Sequence, residues 1–325
     1  MDDGRSRNRA GWWYPSWRRR LQARLEANST VVSTAKGPVE CSRYGPAGPV
    51  VVAIHGTPGG HDQIPSLFPR FPGGDFGLLC WSRPGYLRTP LSAGRAFEEQ
   101  ADLLAALLDA LGLHRAALFA FSGGGPVAVH FAARHPQRVW ALLLESAASG
   151  PRPWPRPRLV HSRLGNWLLA LAARAWPEEV FTRLLRADSG LDAEKVRDRV
   201  VRALRSPCRA GPLHGLLLSA SPPALREVGF ANDRARLEQL APLPLSAVSA
   251  PTLIVHGAQD ADVPPEHAER AARSIRGAEL LRVADGPHLL SLADNAAEVA
   301  ARRVAFLHRH CHAGMRREEL RVDLH

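Results

Sequence analysis

Ala116-Ala117-Leu118-Phe119-Ala120-Phe121-Ser122-Gly123-Gly124-Gly125-Pro126-Val127 is an apolar run that stops at a serine, passes through glycines and restarts in a helix-compatible pattern at Val127, Val129, Phe131 and Ala132. This order predicts a buried strand, a sharp turn and a helix, with a hydroxyl at the apex. If Ser122 is to stand clear of a sheet on such a turn, the residues two before and two after it must be small, or strand and helix collide. Ala120 and Gly124 are small. Gly123 would then place a backbone N–H at a helix start, where donors lack partners and the helix dipole favours negative charge. The other reading of these glycines is a plain turn between core elements, so the flanking chain has to decide.

Working outward, Val50-Val51-Val52-Ala53-Ile54 and Gly77-Leu78-Leu79-Cys80-Trp81 before the stretch, and Val139-Trp140-Ala141-Leu142-Leu143-Leu144 after it, are continuous apolar runs of the kind that form central parallel strands. Residues 98–111 carry leucines at helical spacing. Strand and helix alternate from residue 50 to 146, which predicts a doubly wound, mostly parallel α/β sheet. Ahead of it, Thr30–Thr34 and residues 39–43 flank Lys36-Gly37-Pro38 and read as a hairpin. After it, Pro151-Arg152-Pro153-Trp154-Pro155-Arg156-Pro157 stops the alternation. Helical patterns follow at 159–175, 177–187, 193–205, 213–219 and 233–240. The sheet resumes with strands at 251–256 and 278–283, and a closing helix is expected from residue 286 to about 308. The expected organisation is a basic, Trp-bearing extension (1–29), a core (30–146 and 246–310), an inserted helical cap (147–245) and a polar tail (311–325).

The chain has 325 residues and a formal net charge of +11, carried by arginine because Lys36 and Lys195 are the only lysines. The arginines are spread along the chain with no nucleic-acid signature beside them, so the excess reads as compositional and no nucleic-acid partner is expected. Cys41, Cys80, Cys208 and Cys311 are far apart and form no metal or redox pair, so no metal or cofactor is expected and a reducing, cytoplasmic setting fits. No secretory leader or membrane-spanning run is visible. Trp12, Trp13, Tyr14 and Trp17 beside Arg18-Arg19-Arg20 could give weak contact with an acidic membrane surface, but the apolar face is short, and packing against the body is the expected outcome.

Chemistry gathers at the ends of the predicted strands. His55-Gly56-Thr57-Pro58-Gly59-Gly60 ends one of them. Pro58 has no N–H, so the N–H of Thr57 is the best second donor for an oxyanion beside that of Gly123, and His55 is expected to brace the loop. Asp260 and His288 follow two later strands. A serine hydroxyl is a weak nucleophile until a base takes its proton, and the base needs a carboxylate to orient it. Ser122, Asp260 and His288, in that order, supply nucleophile, acid and base. Glu145, at the end of the strand after the elbow, is the second candidate for the acid, Asp262 lies close by, and Asp285 reads as a turn residue.

With these motifs the chain resembles the α/β-hydrolase superfamily over about residues 30–310. His55-Gly56-Thr57-Pro58-Gly59 resembles its oxyanion loop, Ser82-Arg83-Pro84-Gly85-Tyr86 its strand-end turn, and Gly257-Ala258-Gln259-Asp260-Ala261-Asp262-Val263-Pro264 its acid loop. Departures are Ala120 where the elbow pattern has Gly and Pro287 where Gly usually precedes the histidine. The insertion is similar to the cap of the branch containing epoxide hydrolases, haloalkane dehalogenases, proline iminopeptidases and many esterases. The resemblance implies a cofactor-independent serine hydrolase acting on a small acyl substrate, because the dehalogenase and epoxide hydrolase members use Asp at the elbow. A carboxylic ester is the expected substrate. A peptide or amide hydrolase, with Glu178, Glu179 or Glu194 holding an amine, and a non-catalytic receptor are the alternatives. Activity is expected to fall below about pH 6, where an ordinary histidine is protonated.

Overall fold

The structure, a computed structural model, describes residues 14–68, 71–152, 163–218 and 220–311. In chain order, α1 (Tyr14–Ala27), β1 (Thr30–Thr34), β2 (Gly37–Tyr44), β3 (Val50–Ile54), α2 (Gln63–Leu67), β4 (Gly77–Trp81), α3 (Phe97–Ala110), β5 (Ala116–Phe121), α4 (Gly125–Arg134) and β6 (Val139–Glu145) come first. The helices α5 (Arg163–Ala175), α6 (Pro177–Ala187), α7 (Ala193–Arg205), α8 (Pro207–Leu218) and α9 (Glu227–Glu238) separate these from β7 (Thr252–Gly257), α10 (Glu266–Ser274), β8 (Glu279–Val283) and α11 (Ala296–Cys311).

The strands form one eight-stranded sheet in the order β1-β2-β4-β3-β5-β6-β7-β8. The pairs among β3 to β8 are parallel, and β2 pairs antiparallel with both β1 and β4. The apolar runs are apolar throughout because both sheet faces are covered. Val52, Ile54, Leu118, Ala120, Leu142 and Leu144 join the core under α3, α4 and α10, while Val51, Ala53, Ala117, Phe119, Phe121 and Leu143 join the core shared with α2, α11 and the inserted helices. Neighbours in sequence thus serve opposite faces, the period of two that a strand imposes.

Chain order reverses at the β3/β5 pair, since β4 lies on one side of β3 and β5 on the other. Loops leaving two such strands diverge and open a crevice at their carboxyl ends. Ile54 faces Ala120 across that pair, so the loop after β3 begins beside the elbow after β5.

Three expectations change. The helix expected from residue 286 begins at Ala296, after a short 3-10 turn at Leu290–Leu292. A Cβ on Gly257 would lie 2.6 Å from the carbonyl oxygen of Pro287, so this loop folds back over the end of β7 instead of winding. Helix α9 starts at Glu227, ahead of the expected residue 233, and α8 at Pro207 with Pro212 inside it. The short helices α2 and α10 lie outside the expected elements. In the extension, α1 packs Trp17 as a buried side chain. Trp12, Trp13, the stretch 153–157 and the tail beyond Cys311 lie outside the described residues. Among the described residues, no helix is long and apolar enough to cross a membrane.

The close approach at the crevice is sterically testable. A Cβ on Gly124 would lie 2.7 Å from the carbonyl oxygens of both His55 and Ile54, and neither main-chain atom can swing away. Gly124→Ala is expected to cost about 1–3 kcal/mol through overpacking, read as a lower denaturation midpoint. Gly74→Ala, where a Cβ meets nothing within 4 Å, should leave the midpoint essentially unchanged.

Candidate active site

Ser122 has a φ of 53°, in the left-handed region that L-residues seldom adopt. The position is held by its surroundings: its carbonyl accepts from the Ala148 N–H at 3.0 Å, and Gly124 and Gly125 pack against main chain where no side chain fits. The elbow thereby turns the Ser122 side chain out of the strand direction while keeping it 4% exposed.

The hydroxyl meets an imidazole. Nε2 of His288 lies 3.1 Å from Ser122 Oγ, and Nδ1 of the same ring lies 2.8 Å from Oδ2 of Asp260. The other oxygen of Asp260 accepts the backbone N–H groups of Asp262 at 2.9 Å and Val263 at 2.8 Å, so the carboxylate is fixed at the mouth of the loop after β7. The ring is also steadied through its backbone, because Ser146 Oγ donates to the His288 carbonyl at 2.8 Å. Phe121 packs against it at a tilt of 43°, with ring centroids 5.1 Å apart. Ser122, His288 and Asp260, taken from three separate strand ends, form one hydrogen-bonded chain.

Glu145, the other candidate acid, is not part of that chain. Its Oε2 accepts from Arg303 of α11 at 2.6 Å, and both side chains are buried. Burial pushes the Glu145 carboxyl above its ordinary pKa despite the opposing pull of Arg303. Asp285 is likewise committed elsewhere, to Arg199 of α7.

Around His288 the balance of charge is unusual. Burial alone would depress its pKa, but Asp260, Asp262, the hydrogen bond to Asp260 and Asp188 together raise it to about 9. Asp262 Oδ2 stands 3.4 Å from Nε2, on the serine side of the ring, while Oδ1 is held by Arg152. The expectation of activity falling below about pH 6 assumes an ordinary histidine, and the carboxylates at both ring nitrogens push this one upward.

The loop after β3 closes over the elbow. A Cβ on Gly123 would strike Thr57 Oγ1, and one on Gly56 would lie 3.0 Å from Ser122 Cβ, so Thr57 adjoins Gly123 and Gly56 adjoins the serine. His55 braces this loop: its Nε2 accepts the Arg83 N–H at 3.0 Å and its Nδ1 lies 2.7 Å from the Gly56 carbonyl oxygen. Burial, with Arg83 nearby, holds its pKa well below the usual imidazole value, so the ring is neutral. Gln63 accepts the Gly56 N–H at 2.6 Å and donates to the Pro58 carbonyl at 2.7 Å. Motif reading does not single out Gln63, Ser146 or Asp233, and it marks Arg83 and Tyr86 only as parts of a turn. Arg83 and Tyr86 stand in a stretch whose turn chemistry hides their side chains, and Asp233 is one acid among several on a helix. Among the described residues, no group of three or more His, Cys, Asp or Glu side chains is gathered where it could hold a metal ion.

Comparison with known proteins agrees with this architecture. Residues 49–294 match the alpha/beta hydrolase fold family. The chain is 28% identical over 251 residues to the uncharacterized hydrolase YcgS of Bacillus subtilis, covering 71% of this chain and 82% of that protein. It is 28% identical over 244 residues to a pimeloyl-[acyl-carrier protein] methyl ester esterase of Neisseria meningitidis, covering 73% and 86% of the two. A solved alpha/beta hydrolase fold protein from Nakamurella multipartita superposes with a TM-score of 0.78 at 36% identity, covering 86% of this chain and 98% of the other. The match across most of the core, the shared sheet and the strained serine at the switch point make this chain a member of the alpha/beta hydrolase fold family.

Proposed function

We propose that the protein is a cofactor-independent serine hydrolase that cleaves a carboxylic ester of a small acyl substrate. The hydrogen-bonded chain from Ser122 through His288 to Asp260, with the serine on a strained elbow, carries this reading. Neutral His288 takes the Ser122 proton at Nε2 as Oγ attacks the acyl carbon. Asp260 fixes the ring and its tautomer through Nδ1, and the imidazolium then protonates the leaving alcohol. The N–H groups of Thr57 and Gly123 are the donors for the oxyanion, each worth about 3 kcal/mol in the transition state. Water, activated by the same imidazole, releases the acyl group. The helices between β6 and β7 act as the cap over this crevice.

An ester is favoured over an amide because the acids that would anchor a substrate amine are placed elsewhere. Glu178 pairs with Arg197 at 2.6 Å, and Glu179 and Glu194 are exposed to solvent. The methyl ester esterase among the relatives points the same way.

A fluorophosphonate should label the wild-type protein once, at Ser122, and label Ser122→Ala not at all; a folded wild type that stays unlabelled would refute the reading. On p-nitrophenyl esters, turnover should exceed that on aminoacyl arylamides. Asp260→Asn should lower kcat roughly 10³- to 10⁴-fold through the wrong ring tautomer. Glu145→Gln should reduce stability, since it leaves Arg303 buried without its counter-charge, but change kcat per labelled site only slightly.

The pH profile follows from the charges on His288. Its pKa is raised, so the active neutral form is scarce at low pH and grows as pH rises; kcat/KM should climb through neutrality and reach half its plateau towards about pH 9. Asp262→Asn removes the acid on the Nε2 side and should move that midpoint down. A wild-type midpoint at pH 6 would contradict the assignment of two acids to one ring.

A further inference from the structure

Most of the loop after β3 is held by the core itself. Its His55 and Gly56 carbonyls accept from Arg83 at 3.1 and 3.3 Å, and its Gly56 N–H and Pro58 carbonyl are taken by Gln63. Thr57 is different. Its hydroxyl donates to Oδ2 of Asp233 at 2.5 Å, and Asp233 belongs to α9, in the segment inserted between β6 and β7.

Asp233 is 0% exposed, and every contact it makes leads toward the same place. Its Oδ1 accepts Arg83 Nη1 at 2.9 Å, its Oδ2 accepts Tyr86 OH at 2.7 Å, and Arg83 Nη2 bridges the same oxygen. Arg83 Nη2 also donates to Thr57 Oγ1 at 3.2 Å. One helical turn along α9, Leu237 Cδ1 lies 3.5 Å from where a Cβ on Gly123 would stand. The helix thus reaches both proposed donors, with a carboxylate on the side of Thr57 and an apolar methyl on the side of Gly123.

We propose that Asp233 is a positioning residue for the oxyanion site: it fixes the Thr57 hydroxyl, and with it the direction of the Thr57 N–H, so that the donor pair is aligned only when α9 is docked on the core. The inference rests on the serine hydrolase reading and deepens it. A threonine held only at its backbone could rock about the loop, whereas a side chain tied to a buried, immobile carboxylate sets the plane of its own peptide. Misplacement of one catalytic donor by about 1 Å is enough to cost roughly a hundredfold in rate. The alternative is that Asp233 serves only as the counter-charge of buried Arg83, and it differs in a measurable way, because the Thr57 link can be cut while the ion pair stays.

Thr57→Val makes that cut, keeping size, backbone N–H and the Arg83–Asp233 pair. On a p-nitrophenyl ester, with active sites counted by fluorophosphonate, kcat should fall about ten- to a hundredfold while KM stays within about threefold. Thr57→Ser, which restores the hydroxyl, should recover most of the loss. Asp233→Asn, whose charge loss burdens folding more, should show a similar drop per labelled site, and the double variant should lose little beyond either single one. Folded Thr57→Val with wild-type kcat, a loss confined to KM, or fully additive losses in the double variant would each overturn the inference. None of these results touches the serine hydrolase reading, which stands or falls on labelling of Ser122 in the wild type.

Discussion

Main chain pressed against main chain is the constraint on which the rest of this molecule depends. The carbonyl oxygens of Ile54 and His55 lie where a Cβ at Gly124 would need to be, and the carbonyl of Ala148 lies 2.6 Å from the place of a Cβ at Gly125. Three loops can converge at one point only because the residues between them carry no side chain. The positive φ of Ser122 follows from the same crowding. Strain of this kind costs about 1–3 kcal/mol and persists only where the surroundings over-determine it. Here the fully buried β5, flanked by β3 and β6, supplies that support.

Charge plays the second structural part. Arg83, Arg226 and Arg303 are each 4% exposed or less and each is paired with a carboxylate. Removing one partner of such a pair costs about 3–5 kcal/mol, because a charge is then stranded away from water. Arginine suits these places better than lysine, since its planar fork can satisfy several acceptors together. Arg226, for example, holds both oxygens of Asp62 as well as the carbonyls of Gly59 and Ser221. The arginine excess that composition presents as a bias thus includes specific fasteners.

The sequence made the sheet readable because each central strand is an unbroken apolar run and each turn is marked by Gly or Pro. Ser122, Asp260 and His288 were readable because strand ends are the places where an α/β sheet exposes side chains, and the structure brings these residues into contact. The acid-loop pattern already put Asp260 ahead of Glu145, and the geometry agrees: Asp260 bonds the imidazole, while Glu145 at the end of β6 is bonded to Arg303. Asp262 was visible as a neighbour in sequence, but nothing in a spacing pattern tells that a loop will fold it onto the opposite side of the ring from Asp260. Asp233 was hidden more deeply, because it sits far along the chain from Thr57 and Arg83, and such contacts leave no periodic trace.

The inserted helices are tied to the core along a seam of ion pairs that are unequal in their access to water. At one end, Arg83 with Asp233 and Arg226 with Asp62 are nearly sealed, their side chains between 0% and 16% exposed. At the other, Arg152 meets Asp262 at 24% exposure, and Arg199 meets Asp285 and Asp294 at 44% and 52%. Dissolved ions screen the wet pairs within a Debye length of about 8–10 Å and hardly reach the dry ones. Salt therefore acts on the seam like solvent on an unevenly cured joint, softening the edge beside His288 while the edge beside Thr57 keeps its grip.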